Sequence, residues 1–173
     1  MANAPKILTD LYSDTSLRNN CSGYFKAVGK KLGVTLPDIQ ADPLIEQISS
    51  GSPGWVKIGS GTEGGNQAAQ LAGQGYLVVA LLKAADHYPY KLNKDTGKYD
   101  IPHPYHHGHL AIVLPGATKD GYPYVISGSI VADGQSDGSK SVRGVWRGID
   151  APNVQYYRTT DKYPSLVPGS AEK

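Results

Sequence analysis

Cysteine occurs once in 173 residues, at Cys21, and Met and Phe also occur once each. A single thiol excludes an internal disulfide framework and a cysteine-based zinc site. Long apolar runs are missing too: the longest, Tyr76 to Leu82, falls far short of the roughly 20 residues that span a membrane. The net charge of +2 comes with no Lys/Arg cluster, so the chain lacks the electrostatic footprint of a nucleic-acid binder. Neither nucleic acid nor membrane is an expected partner. Met1 to Asp10 carry no charged region followed by an apolar run, so no ordinary secretory signal is read there. The expectation is a soluble chain made in the cytoplasm, for which any export would need another route.

What is present is a globular composition, 39% hydrophobic and 18% charged, punctuated by 21 glycines and 12 prolines. The length suits one domain with a sizeable core. That domain is expected over residues 1–163, with residues 164–173, which contain Pro, Ser and Gly, as a fraying tail.

The first half reads as helices. Ile7, Leu8, Leu11 and Tyr12 are spaced for a helical turn or two. Phe25, Val28 and Leu32 line one face of a helix from Cys21 to Leu32, which Gly33 stops. Asp42 and Pro43 read as N-cap and first residue of another helix through Ile48, and a third runs from Glu63 to Leu71. Trp55 to Ile58 is a short extended piece.

The second half changes period. Tyr76–Leu82 reads as a strand buried on both faces. His109–Leu114, Tyr122–Ile130, Val142–Trp146 and Val154–Tyr157 read as further strands. Between them, Asp86 to His107 is a Pro-, Tyr- and His-rich loop or hairpin turning at Asp95-Thr96-Gly97. Helices first and strands after predict an α+β fold, with N-terminal helices packed on a central antiparallel sheet.

Cys21 is the chemical focus. A thiol in the first turn of a helix lies among unpaired N–H groups, which favours the thiolate. The plain alternative is a small buried hydrophobe. A cysteine hydrolase also needs a histidine to take and return a proton, and often a third group to orient the ring. His109 opens a strand, and packing a helix start against it would bring it to Cys21. Ser127, on the next strand, is the polar residue best placed for the third role. His103, His106 and His107, with His87 upstream, raise the possibility of a transition-metal site. Asp100 is the single carboxylate nearby, so a solvated loop is preferred for those three and no metal or cofactor is called for.

Asn20-Cys21-Ser22-Gly23-Tyr24-Phe25, followed by Lys31-Leu32-Gly33-Val34-Thr35-Leu36-Pro37, resembles the Cys-Ser-Gly motif of NlpC/P60-type cell-wall peptidases. Gly108-His109-Leu110-Ala111-Ile112-Val113-Leu114 is similar to the Gly-His-Val motif that holds the base of that family. With Gly75–Lys83, Ser127–Ile130, Lys140–Trp146 and Asn153–Tyr157 in order, the likeness is to the first family of type VI secretion amidase effectors. The resemblance implies a papain-like amidase that cuts peptidoglycan stem peptides between γ-D-glutamate and meso-diaminopimelate. It further implies delivery by type VI secretion machinery into the periplasm of rival Gram-negative cells, and a cognate immunity protein as inhibitor. A binding module that kept the fold and lost catalysis is the alternative from another class.

Overall fold

The computed structural model describes residues 4–87, 92–93, 95–99 and 107–170. Among them, six α-helices accompany a six-stranded, wholly antiparallel sheet, so the α+β architecture is as expected. The helices are α1 (Lys6–Tyr12), α2 (Thr15–Arg18), α3 (Cys21–Leu32), α4 (Ala41–Ser49), α5 (Gly61–Gly73) and α6 (Val142–Val145). The sheet strands are β1 (Trp55–Ser60), β2 (Tyr76–Leu82), β5 (His109–Lys119), β6 (Tyr122–Ser127), β7 (Ser136–Ser141) and β8 (Gln155–Lys162), in the order β1-β8-β2-β5-β6-β7. A two-stranded ribbon, β3 (Leu92–Asn93) with β4 (Lys98–Tyr99), stands apart.

The sheet is covered on both faces, which explains the unbroken apolar run of β2. Leu77, Val79 and Leu81 point to the face covered by Tyr24, Phe25 and Val28 of α3 and Leu44, Ile45 and Ile48 of α4. Val78, Ala80 and Leu82 point to the face covered by Ala68 and Ala72 of α5 and by Val142 and Trp146. Along β5 the same alternation sends Leu110, Ile112 and Leu114 one way and Ala111 and Val113 the other. Truncating Phe25, 1% exposed, would cost about 3–5 kcal/mol in a core of this kind.

Two expectations need correction. Val142–Trp146 is not a strand: Val142 and Trp146, four residues apart, fall on one side of the single turn of α6, and both are buried. The strand lies just before, as Ser136–Ser141, an edge strand whose Ser, Asp, Gly and Lys residues give no apolar alternation. The expected cap pair Asp42–Pro43 sits inside α4, which starts at Ala41, because the Asp42 carboxylate is engaged elsewhere: Oδ1 accepts the Ala84 N–H at 3.1 Å. A 3₁₀ turn at Pro164–Leu166 buries Leu166, and the Tyr163 N–H reaches Gly75 O at 2.7 Å.

Candidate active site

Cys21 is the first residue of α3, and the residues around it are spent on capping. Asn20 is extended and is the N-cap; its Oδ1 accepts the Gly23 N–H at 2.9 Å and the Ser22 hydroxyl at 3.1 Å. A Cβ at Gly23 would stand 2.8 Å from the Asn20 side chain, so glycine there keeps the cap closed. The Asn-Cys-Ser-Gly string therefore fixes where the helix starts and, with it, where the thiol points.

The thiol is half-buried against the beginning of β5. Its Sγ lies 3.9 Å from Gly108 O, and the N–H groups of Leu110 and Ser22 are directed at the sulfur. Cys21 thus touches the backbone on either side of His109. Gly108 also lets α4 pack close to this point, because a Cβ there would stand 2.3 Å from Asp42 Oδ1 and 2.7 Å from Ile45 Cδ1. Burial pushes the Cys21 thiol above its ordinary range, and the nearby Asp42 carboxylate adds to this. The N–H groups act the other way and do not win. The low-pKa thiolate expected from the helix start is therefore not the resting state, since desolvation outweighs the dipole.

His109 shares the face of Ala111, and its ring meets Trp146 edge to face, with centroids 5.1 Å apart. The ring hydrogen-bonds the Gly134 carbonyl, while Nε2 is buried with no hydrogen-bond partner among the described residues. A carbonyl only accepts, so Nδ1 carries the proton and Nε2 presents a lone pair. Burial lowers the imidazole pKa to about 4, with His87 adding to the effect and the Gly134 bond opposing it. At neutral pH the ring is a neutral proton acceptor.

Ser127 is wholly buried and one step removed from that ring. Its hydroxyl donates to Gly134 O at 2.8 Å, the carbonyl that orients His109. The orienting group is thus a backbone carbonyl with the Ser127 hydroxyl behind it, which no side-chain reading of the sequence could have located. Trp146 was hidden for a different reason, since it lay in a stretch read as strand.

The 128–135 loop ties the two halves together. The Ser129 N–H donates to Arg18 O at 2.8 Å, and Gln135 Nε2 donates to Asn19 Oδ1 at 3.0 Å and to Ser129 O at 2.7 Å. The same loop carries Gly134. A Cβ on Gly128 would stand 2.4 Å from Leu17 O and 2.7 Å from Asn20 O. Gly128→Ala is therefore expected to destabilise the fold by about 1–3 kcal/mol in urea denaturation, because backbone must part from backbone just ahead of Cys21. An unchanged midpoint would show that this approach is looser than described.

Among the other histidines, His87 is buried against Asp150, His107 is exposed, and His103 and His106 lie outside the described residues. Among the described residues, no three His, Cys, Asp or Glu side chains gather as a metal site would require.

No protein-family model matches the sequence. A curated relative does: the peptidoglycan amidase Tse1 of Pseudomonas aeruginosa is 34% identical over 145 residues, 83% of this chain and 77% of that protein. The chain belongs to the Tse1 family. Within the Tse1-family chain, the helix start at Cys21 and the strand start at His109 converge, and Ser127 supports the carbonyl that holds the ring.

Proposed function

We propose that this chain is a peptidoglycan amidase in which Cys21 is the nucleophile and His109 the proton carrier. The observation that carries the reading is the buried Nε2 of a neutral His109, without a partner among the described residues, at the start of the strand on which the only thiol packs. A buried polar atom without a partner is uncommon and calls for a role. Membership of the Tse1 family supplies the substrate class.

The resting thiol points its proton at Gly108 O, so it must turn toward the imidazole before it can react. As sulfur bonds to the amide carbonyl carbon, the thiol proton passes to His109. The oxyanion is met by the Cys21 N–H at the open end of α3; a donor in that position is commonly worth about 10²–10³ in rate. The C–N bond then breaks, and His109 protonates the departing amine. Water, giving its proton to His109, attacks the thioester, and the proton returns to sulfur as the carboxylate leaves.

The finer reading follows the resemblance. The bond cut is γ-D-glutamyl–meso-diaminopimelate in the stem peptide, and the protein is an antibacterial toxin delivered by type VI secretion into the periplasm of a target cell. A cognate immunity protein would guard the producer. Among the described residues no helix is long and apolar enough to cross a membrane.

One observation favours a different reading, that of a binding module which has lost catalysis: the thiol donates to a carbonyl rather than to the ring. Digestion of purified Gram-negative sacculi, with mass spectrometry of the soluble products, separates the two. The amidase reading expects fragments carrying a new α-amine on diaminopimelate and a new γ-carboxyl on glutamate. Sacculi that bind the protein and release nothing would leave the binding module.

A further inference from the structure

Beside the start of β5, on the α4 side of the sheet, lies a cavity of about 260 Å³ that the mechanism above does not use. Its walls come from Ile45 of α4, Lys57 of β1, Gln155 and Tyr157 of β8, and Leu82, Lys83 and Asp86 at and just past the end of β2. The strand register explains this gathering. Lys57 stands opposite Tyr157, and Gln155 stands opposite Leu81, so these side chains share the face on which α3 and α4 pack. α4 ends at Ser49, and past that end the described residues leave this corner of the face uncovered. The cavity adjoins the candidate site. Ile45 lies against Gly108, and Leu82 pairs with His109 across β2 and β5.

The lining carries both signs of charge. Lys83 is spent on Glu46, with which it forms an ion pair. Lys57 and Asp86 are exposed, and among the described residues neither has an ion-pair partner, in each other or in a third group. The Tyr157 hydroxyl donates to Gln155 Oε1 at 3.3 Å, which leaves the Gln155 amide N–H₂ as a donor at the same wall. An ammonium, an amide donor and a carboxylate, kept apart in one small cavity, match a ligand group that itself carries a carboxylate and an ammonium. We propose that this cavity is a subsite for a zwitterionic amino-acid group of the substrate, its carboxylate on Lys57 and Gln155 and its ammonium on Asp86. For the identity of that group the inference rests on the amidase reading. In the stem peptide it is the distal centre of meso-diaminopimelate, whose side chain ends in both an amine and a carboxylate. The size agrees, since drug-sized ligands fill roughly 300–1,000 Å³ and an amino-acid end needs less. The leaving amine of the reaction belongs to the same residue, so the subsite acts on the leaving-group side of the bond.

The test uses L-alanyl-γ-D-glutamyl-meso-diaminopimelate and two analogues. One has L-lysine in place of diaminopimelate, which keeps the distal amine and lacks the carboxylate; the other is acetylated at the distal amine. Lys57 and Asp86 are both exposed, so their variants should fold. Lys57→Gln is expected to raise KM on the parent tripeptide about tenfold with kcat little changed, the scale of one lost charge-assisted hydrogen bond, and to leave KM on the lysine analogue unmoved. Asp86→Asn should show the converse dependence, a similar loss on the parent tripeptide and none on the acetylated one. Penalties that are the same on parent and analogue would overturn the proposal. A second readout needs no turnover: the Kd of the parent tripeptide for Cys21→Ala protein by isothermal calorimetry. Binding about tenfold weaker when Lys57→Gln or Asp86→Asn is added supports the proposal, and unchanged binding overturns it. Sacculi left intact by wild type, with tripeptide binding that still depends on both residues, would sink the amidase reading and keep the subsite. Cleavage with binding indifferent to both residues would sink the subsite alone.

Discussion

Cys21→Ala is expected to lower peptidoglycan cleavage by about 10⁴-fold or more, to the background of the assay, because the nucleophile is lost and the chain holds no other thiol. The fold should survive. Cys21 is half-buried at a helix terminus, where its sulfur makes only weak contacts with backbone groups, a long hydrogen bond to Gly108 O and the N–H groups directed at it. Alanine is a tolerable first-turn residue, and the Asn20 cap does not involve the sulfur. The thermal midpoint of Cys21→Ala should therefore lie close to that of wild type while product release disappears. Cys21→Ser sharpens the test, because it keeps the shape and a hydroxyl yet supplies a far weaker nucleophile; it should be nearly as inactive. Substantial turnover in either variant would remove Cys21 from the mechanism.

His109→Ala should cost about 10²–10⁴-fold, the range of a lost general base and acid, with the thiol still in place. His109→Gln separates position from chemistry, because it can still donate to Gly134 O and fill space beside Trp146 but cannot cycle a proton. Equal losses in the two variants are expected. The pH profile gives the sign independently. The base works only when neutral, and its pKa is lowered from 6.5 to about 4. Activity limited by this group therefore falls as pH drops through about 4, and the acid limb does not stand at the usual histidine position. The Cys21 thiol, pushed above its ordinary range, stays protonated through neutrality, so thiol and imidazole meet as a neutral pair. An acid limb near 6.5 would mean that the ring becomes solvated when substrate binds.

How much of this was legible in the sequence depends on whether side chains or backbone carry the feature. The helix at Cys21 was legible because its cap, its apolar face and its glycine stop agree. The β2 and β5 strands were legible because both of their faces are buried. The edge strand Ser136–Ser141 was not, since a half-exposed strand needs no apolar residues to pair with β6. Val142 and Trp146 misled because a stretch of four or five residues cannot distinguish one helical turn from a strand. In the candidate site, the thiol and the imidazole are offered by residue type in the sequence itself. The Gly134 carbonyl, the Nε2 left without a partner among the described residues, and the raised thiol are not, because each depends on burial created by segments distant in the chain.

The most direct test of the central claim uses the fact that Cys21 is the only cysteine. Protein is treated with iodoacetamide at about pH 9, where a raised thiol ionises enough to react, and sampled over time for intact mass and for activity on sacculi. One adduct per chain is expected, with an activity that falls in proportion to the fraction modified. A fully alkylated protein that still cleaves peptidoglycan would contradict it.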